Sequence, residues 1–190
     1  MSLDPDTFLA VAAACAPDVA PQTLLAVAKV ESGLNPLAIG VNGGSGAGRR
    51  PTSPEAAIRL AQALVRSGRN IDVGLAQINV RNLGWLGLSV AEAFDPCANL
   101  AAAARILTDG YRRAGVVPGG EQLSLRIALS YYNTGTADRG FRNGYVARVV
   151  AAGRPPGEAK PSATPARTAA RRPPPAATSF VIHPQAGGQP

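Results

Sequence analysis

Histidine is almost absent from this chain: its 190 residues include one, His183, and only two cysteines, Cys15 and Cys97. A Ser/His/Asp or Cys/His nucleophilic site needs an imidazole base. His183 falls in a C-terminal stretch whose composition argues against packing, so that chemistry lacks its base inside the folded part. Zinc is not expected either, because two cysteines with no histidine nearby do not supply three or four ligands; no metal and no cofactor is expected. The cysteines leave two readings open, a disulfide closing a long loop, which is favoured slightly, or two unrelated buried thiols. Long apolar runs are missing too. None approaches about 18 residues without Pro, Gly or a charge, so no membrane span is expected. Met1-Ser2-Leu3-Asp4-Pro5-Asp6 carries acids where a secretory signal carries positive charge, and no signal peptide is visible.

Charged residues are scarce, at 16% against 46% hydrophobic, which suits one compact domain with a real core. The net charge of +7 is unevenly placed. From Arg154 to Pro190 stand Arg154, Lys160, Arg167, Arg171 and Arg172 against Glu158, so this stretch contributes +4 and the rest of the chain +3. The same stretch holds nine of the 17 prolines, spaced by Ala, Thr and Ser. Such a composition cannot bury enough apolar surface to fold, so residues 154–190 are expected to be a disordered, basic, Pro/Ala/Arg-rich tail. Its plain role is a spacer, and its sharper one a docking arm for an anionic surface or a protein partner. Nucleic acid is not expected, since no basic and aromatic residues alternate within an element. A monomer is the simplest expectation.

The periodicity predicts a mainly α domain. Asp4 or Asp6 caps a first helix running to Ala14; Thr23 or a neighbour opens a second; Ser53-Pro54-Glu55 opens a third, Ala56 to Ser67, stopped by Gly68. Ser89 caps a short turn to Phe94, Asp95-Pro96 opens an alanine-rich helix from Cys97 to Ala114, and further helices are expected over Glu121–Tyr132 and Gly144–Val150. Between Ile71 and Asn79 the β-branched content allows one short extended segment. The run from Gly43 to Gly48 resembles a phosphate-binding loop only superficially, since no Lys-Ser/Thr follows, and reads as a flexible loop.

Glu31 is the most informative residue. Leu24, Val27 and Ala28 stand seven, four and three positions before it, so a carboxylate lies on the apolar stripe of the second helix, just before the terminating Gly33. Burial and the negative helix end both disfavour its charge and keep a proton on it near neutrality, as a general acid requires. The alternative is a solvent-facing glutamate at a frayed end. Two other polar segments interrupt apolar elements. In Asp72-Val73-Gly74-Leu75-Ala76-Gln77-Ile78-Asn79, Gln77 and Asn79 share a face if the segment is extended. The other is Ser130-Tyr131-Tyr132-Asn133-Thr134-Gly135. Amides and phenols around a protonated carboxyl suit a neutral polymer rich in hydroxyl and acetamido groups. Singly, these residues read as caps, loop and core.

In their order, Glu31-Ser32-Gly33-Leu34-Asn35-Pro36, Gly74-Leu75-Ala76-Gln77-Ile78-Asn79 and Tyr132-Asn133-Thr134-Gly135 resemble the three signature segments of the soluble-lytic-transglycosylase family. Cys15-Ala16-Pro17, Asp72-Val73-Gly74-Leu75, Asp95-Pro96-Cys97-Ala98-Asn99-Leu100 and Asn143-Gly144-Tyr145-Val146 are similar to its branch attached to type IV secretion and conjugation systems. The resemblance covers residues 7–150. Ala76 stands where many relatives carry Met, a departure that bears on one saccharide subsite.

The resemblance implies a lysozyme-like fold that cleaves peptidoglycan between N-acetylmuramic acid and N-acetylglucosamine. Glu31 would protonate the glycosidic oxygen and then take the proton of the muramoyl 6-hydroxyl, which closes a 1,6-anhydro ring in place of water. One carboxylate then suffices where a conventional glycosidase needs two. Gln77, Asn79, Tyr132 and Asn133 match positions that hold the glycan, Tyr145 one near the glutamate, and Ser32 one that orients substrate. Asp72 is read in two ways: a second carboxylate positioning water for hydrolysis, or, favoured, an aspartate hydrogen-bonded to loop backbone before Gly74. The implied partners are peptidoglycan strands and, through the tail, type IV secretion subunits; the implied compartment is the periplasm. An inactive domain that binds glycan or secretion subunits is the alternative from another class.

Overall fold

A computed structural model describes residues 2–43 and 51–154. The tail beyond Arg154 and all but the first residue of the glycine run lie outside them, and so do the expectations placed there. Eight helices are described: α1 Pro5–Cys15, α2 Pro21–Glu31, α3 Pro54–Arg66, α4 Leu83–Leu86, α5 Pro96–Ala114, α6 Gly120–Thr134, α7 Arg139–Arg142 and α8 Tyr145–Ala152. Three very short strands accompany them, β1 Ile39–Val41, β2 Ile71–Val73 and β3 Ile78–Asn79. The class is mainly α.

Three helices start by one device. Asp4, Ser53 and Asp95 each accept a hydrogen bond from the backbone N–H three residues on, at 2.9, 3.2 and 2.8 Å, and each precedes a proline whose missing N–H costs nothing in the first turn. The second helix opens at Pro21, a neighbour of Thr23, with Ala20 in the capping place and no side-chain cap, so proline's fixed φ starts it without a polar partner. Ser89 and Glu92 close a reciprocal capping box, Ser89 Oγ accepting from Glu92 N at 3.2 Å and Glu92 Oε2 from Ser89 N at 2.8 Å.

The single extended segment expected between Ile71 and Asn79 is instead two strands of a three-stranded antiparallel sheet, ordered β1-β2-β3. The chain turns back at 74–77, where Gly74 has φ +79° and Gln77 φ +49°, and Asp72 comes opposite Asn79 on one side and Gly40 on the other. Gly74 is required twice over. Its φ is left-handed, and a methyl there would collide with the Asn99 side-chain amide and stand 2.7 Å from the Ala93 carbonyl.

Helix α5 is the spine. Its alanines present a thin surface, and Gly110 lets α6 approach so closely that a methyl there would lie 3.2 Å from the Ala128 carbonyl oxygen. Phe8 and Ala12 of α1, Leu24, Val27 and Ala28 of α2, and Leu100 and Ala103 of α5 are fully or almost fully buried. Burial of a large apolar side chain contributes about 1.5–3 kcal/mol. Cys15 at the end of α1 is bonded to Cys97 at the start of α5, with Cα atoms 5.3 Å apart across 82 residues of chain. Among the described residues no helix is long and apolar enough to cross a membrane.

Candidate active site

Glu31 is the last residue of α2, and the chain turns away at once through Gly33 and Leu34, with φ of +62° and +65°. Leucine rarely adopts that conformation, so the turn stores backbone strain. It is held by burial of the Leu34 side chain and by the Ala28 carbonyl, which accepts from Ser32 N, Ser32 Oγ and Leu34 N at 3.0, 3.2 and 3.3 Å. Ser32 Oγ also lies 2.7 Å from the Leu75 carbonyl, tying the helix end to the β2–β3 turn. The Ser32 O–H donor is therefore used within the protein.

That turn hangs on a buried asparagine. Asn99 of α5 accepts from Ala76 N at 2.8 Å and donates to the carbonyls of Val73 and Ala93 at 3.0 and 2.7 Å, which satisfies a side chain wholly removed from water. Gln77 and Asn79 do reach one cavity, but not by strand alternation. Gln77 sits in the turn, its Nε2 donating to the carbonyls of Ala38 and Gly74 at 3.2 and 2.9 Å, whereas only Asn79 is in a strand. Turn geometry replaced the period of two.

Asn79 is buried and faces inward. Its Nδ2 donates to Asp72 Oδ1 at 2.7 Å and its Oδ1 accepts from Arg81 N at 3.0 Å, while Asn42 Nδ2 donates to Asp72 Oδ2 at 3.0 Å. Asp72 thus takes an amide side chain on each carboxylate oxygen, and it pairs across the sheet with Asn79, which brings one of these amides to it.

From the other wall come α6 and α8. Tyr132 donates its phenol hydroxyl to the Ala76 carbonyl at 2.6 Å, and Asn133 Oδ1 accepts from Asn143 Nδ2 at 2.8 Å. Asn143 Oδ1 accepts from Tyr145 N at 2.9 Å, and buried Tyr145 donates its hydroxyl to Glu31 Oε1 at 2.6 Å. Glu31, Gln77, Asn79, Tyr132 and Asn133 line a narrow cleft. Glu31, Asp72, Gln77, Asn133, Tyr145 and Arg148 line a wider cavity of about 310 Å³ beside it.

Electrostatics follow from this packing. Protein atoms crowd the Glu31 carboxyl although part of the residue stays open to the cleft, and its pKa is pushed up from 4.5 to about 7. Burial is the main cause and the Asp72 carboxylate adds to it, against the Tyr145 hydrogen bond and the Arg148 charge. Burial, then the Glu31 charge, holds the phenols of Tyr132 and Tyr145 well above their ordinary range, so both remain neutral donors. A protonated carboxyl that can also give up its proton near neutrality stands among amides and phenols, which is the equipment for general acid–base work on a hydroxyl-rich ligand.

Residues 8–149 match the family described as the transglycosylase SLT domain, three quarters of the chain. The chain belongs to this transglycosylase family. Its relatives include the type IV secretion system protein virB1 of Brucella abortus biovar 1, 49% identical over 150 residues, covering 76% of this chain and 63% of the relative. Protein virB1 of Agrobacterium fabrum is 43% identical over 150 residues, covering 77% and 60%. This SLT chain therefore spans about three fifths of the length of the curated relatives it matches. No solved structure matches it. The fold is the lysozyme-like helical one of the SLT domain.

Sequence reasoning passed over four residues that build this SLT site: Asn42, Asn99, Asn143 and Arg148. Asn99 and Asn143 fall inside motifs that resemble the family's, but residue type alone gives them no role. Arg148 stands three residues after Tyr145 on α8, so helical spacing alone places it on the same face. Asn42 had no signal, since only the sheet brings it to Asp72.

Proposed function

We propose that this SLT domain is a peptidoglycan lytic transglycosylase in which Glu31 serves as both acid and base. The observation that carries the reading is the Glu31 carboxyl itself, buried enough to hold a proton to about pH 7 and fixed by the Tyr145 hydroxyl at 2.6 Å. Protonated Glu31 gives its proton to the β-1,4 glycosidic oxygen as the bond from the muramoyl anomeric carbon breaks. The resulting carboxylate then takes the proton of the muramoyl 6-hydroxyl, whose oxygen attacks the anomeric carbon and closes the 1,6-anhydro ring. Atoms balance without water, and Glu31 ends as it began.

The remaining residues hold sugar or hold Glu31. Asn133 Nδ2 has no partner among the described residues and is a donor for an acetamido carbonyl, while the Gln77 oxygen and the Tyr132 oxygen are acceptors for sugar N–H and O–H groups. Asp72 acts through its charge, which raises the Glu31 pKa. Its amide partners leave it poorly disposed to activate water, which favours transglycosylation over a lysozyme-like hydrolysis. The names of the relatives support a role in opening the cell wall locally for a type IV secretion or conjugation apparatus, in the periplasm.

Mass spectrometry of muropeptides released from purified peptidoglycan tests this. The wild type is expected to release anhydro-muramoyl ends, one water lighter than reducing ends, and Glu31→Gln to release none. Reducing ends from the wild type would overturn the transglycosylase assignment, and release by Glu31→Gln would overturn Glu31 as the acid.

A further inference from the structure

The wider cavity contains a cation, Arg148, whose charge lowers the Glu31 pKa but which takes no direct part in the proposed proton transfers. Arg148 is exposed on α8, its guanidinium carbon 5.9 Å from the centroid of the Tyr145 ring, and its Nη1 donates to the Asn143 carbonyl at 3.2 Å. These two contacts hold the side chain against the wall. Neither satisfies its charge: the salt bridges among the described residues join Arg113 to Asp109 and Arg142 to Asp138. The acids that share the cavity are otherwise engaged, since Asp72 accepts from Asn42 and Asn79, and Glu31 accepts from Tyr145. A guanidinium is a planar fork of donors suited to a carboxylate, and one that is pre-oriented loses little entropy on binding it.

The substrate under the proposed function, on which this inference rests, carries such a group beside the scissile bond. Muramic acid bears a lactyl ether on its ring, ending either in a free carboxylate or in an amide-linked peptide with carboxylates of its own. N-acetylglucosamine bears none. Glu31 lines this cavity as well as the narrow cleft, so a muramoyl ring cleaved and closed at its carboxyl has the cavity within reach.

We propose that Arg148 and the cavity beside Glu31 form a carboxylate-binding subsite that reads the acidic substituent of the muramoyl residue. Arg148 then determines which sugar of the alternating polymer presents its anomeric carbon to Glu31, and so the register of cleavage. It is a specificity residue, not an acid or base.

Binding to the Glu31→Gln protein, in which turnover is expected to be blocked, tests the subsite by calorimetry. The probes are a GlcNAc–MurNAc tetrasaccharide with free lactyl carboxylates, the same compound with those carboxylates converted to methylamides, and a peptide-bearing form. Adding Arg148→Gln is expected to weaken a carboxylate-bearing probe by about tenfold or more, leave the methylamide unchanged, and be partly rescued by Arg148→Lys. Loss on the free lactyl probe assigns the lactyl carboxylate; loss on the peptide-bearing probe alone assigns the stem peptide. Equal loss on the methylamide, or no loss on either acidic probe, overturns the subsite. Failure of Glu31→Gln to bind any probe overturns the proposed function and this inference with it.

Discussion

Glu31 is predicted to destabilise the protein that it equips for catalysis. Its carboxyl binds a proton with a pKa of about 7 when folded, against an ordinary value of 4.5. Below pH 4.5 both states are protonated and the group is neutral to stability. Between 4.5 and about 7 the folded state keeps a proton that the unfolded state releases, so stability falls with rising pH by about 1.4 kcal/mol per unit. The full deficit, reached above pH 7, is about 3 kcal/mol before screening by solvent, and about 2 kcal/mol after allowing for the part of the residue open to the cleft. Glu31→Gln removes the charge but keeps an oxygen for the Tyr145 hydroxyl. Urea unfolding of both proteins at pH 4, 6 and 8, at one salt concentration, is therefore expected to show equal stability at pH 4 and a variant more stable by about 2 kcal/mol at pH 8. Comparing the two proteins cancels every other titration. A difference that does not grow with pH, or a variant less stable at pH 8, would refute the claim that Glu31 carries a raised pKa.

Tyr145→Phe removes the donor that lowers the Glu31 pKa, so the alkaline limb of kcat/KM, which reports loss of the acid proton, should move up by about one pH unit while the maximal rate falls; an unmoved limb would contradict the 2.6 Å bond. Asp72→Asn removes the charge that raises it, so the same limb should move to lower pH with anhydro ends retained, and a loss of cleavage rescued by added azide would instead mark Asp72 as a base or nucleophile. Reduction of the Cys15–Cys97 bond frees a loop of 82 residues, which the chain-entropy model makes worth about 4.5 kcal/mol; Cys15→Ser with Cys97→Ser should lower Tm by several degrees or more in a thermal melt, and an unchanged Tm would show that the bond contributes nothing.

Much of the framework was legible because its signals are local. A cap followed by proline at Asp4-Pro5, Ser53-Pro54 and Asp95-Pro96 specifies a helix start within four residues, whatever the rest of the chain does. The apolar stripe of α2 and the stop at Gly33 place a carboxylate at a helix end against the core by counting alone. Strand pairing carried no such signal. Three strands of two or three residues are too short for periodicity, and the β2–β3 turn depends on a left-handed Gln77 that side-chain type does not announce.

The sequence by itself determined the helical class, the family, and Glu31 as the residue to ask about, since each rests on spacing within short segments and on the order of those segments along the chain. Only the tertiary structure decided what surrounds that residue. Asp72 faces Asn42 and Asn79 because a sheet sets them side by side, Tyr145 reaches Glu31 across 114 positions of chain, and Arg148 enters the cavity only because α8 packs on α2. A pKa near 7 is the sum of such contacts. Helical and capping preferences act over a few residues and can be read in order, whereas burial and charge act through space and exist only once the chain has closed on itself.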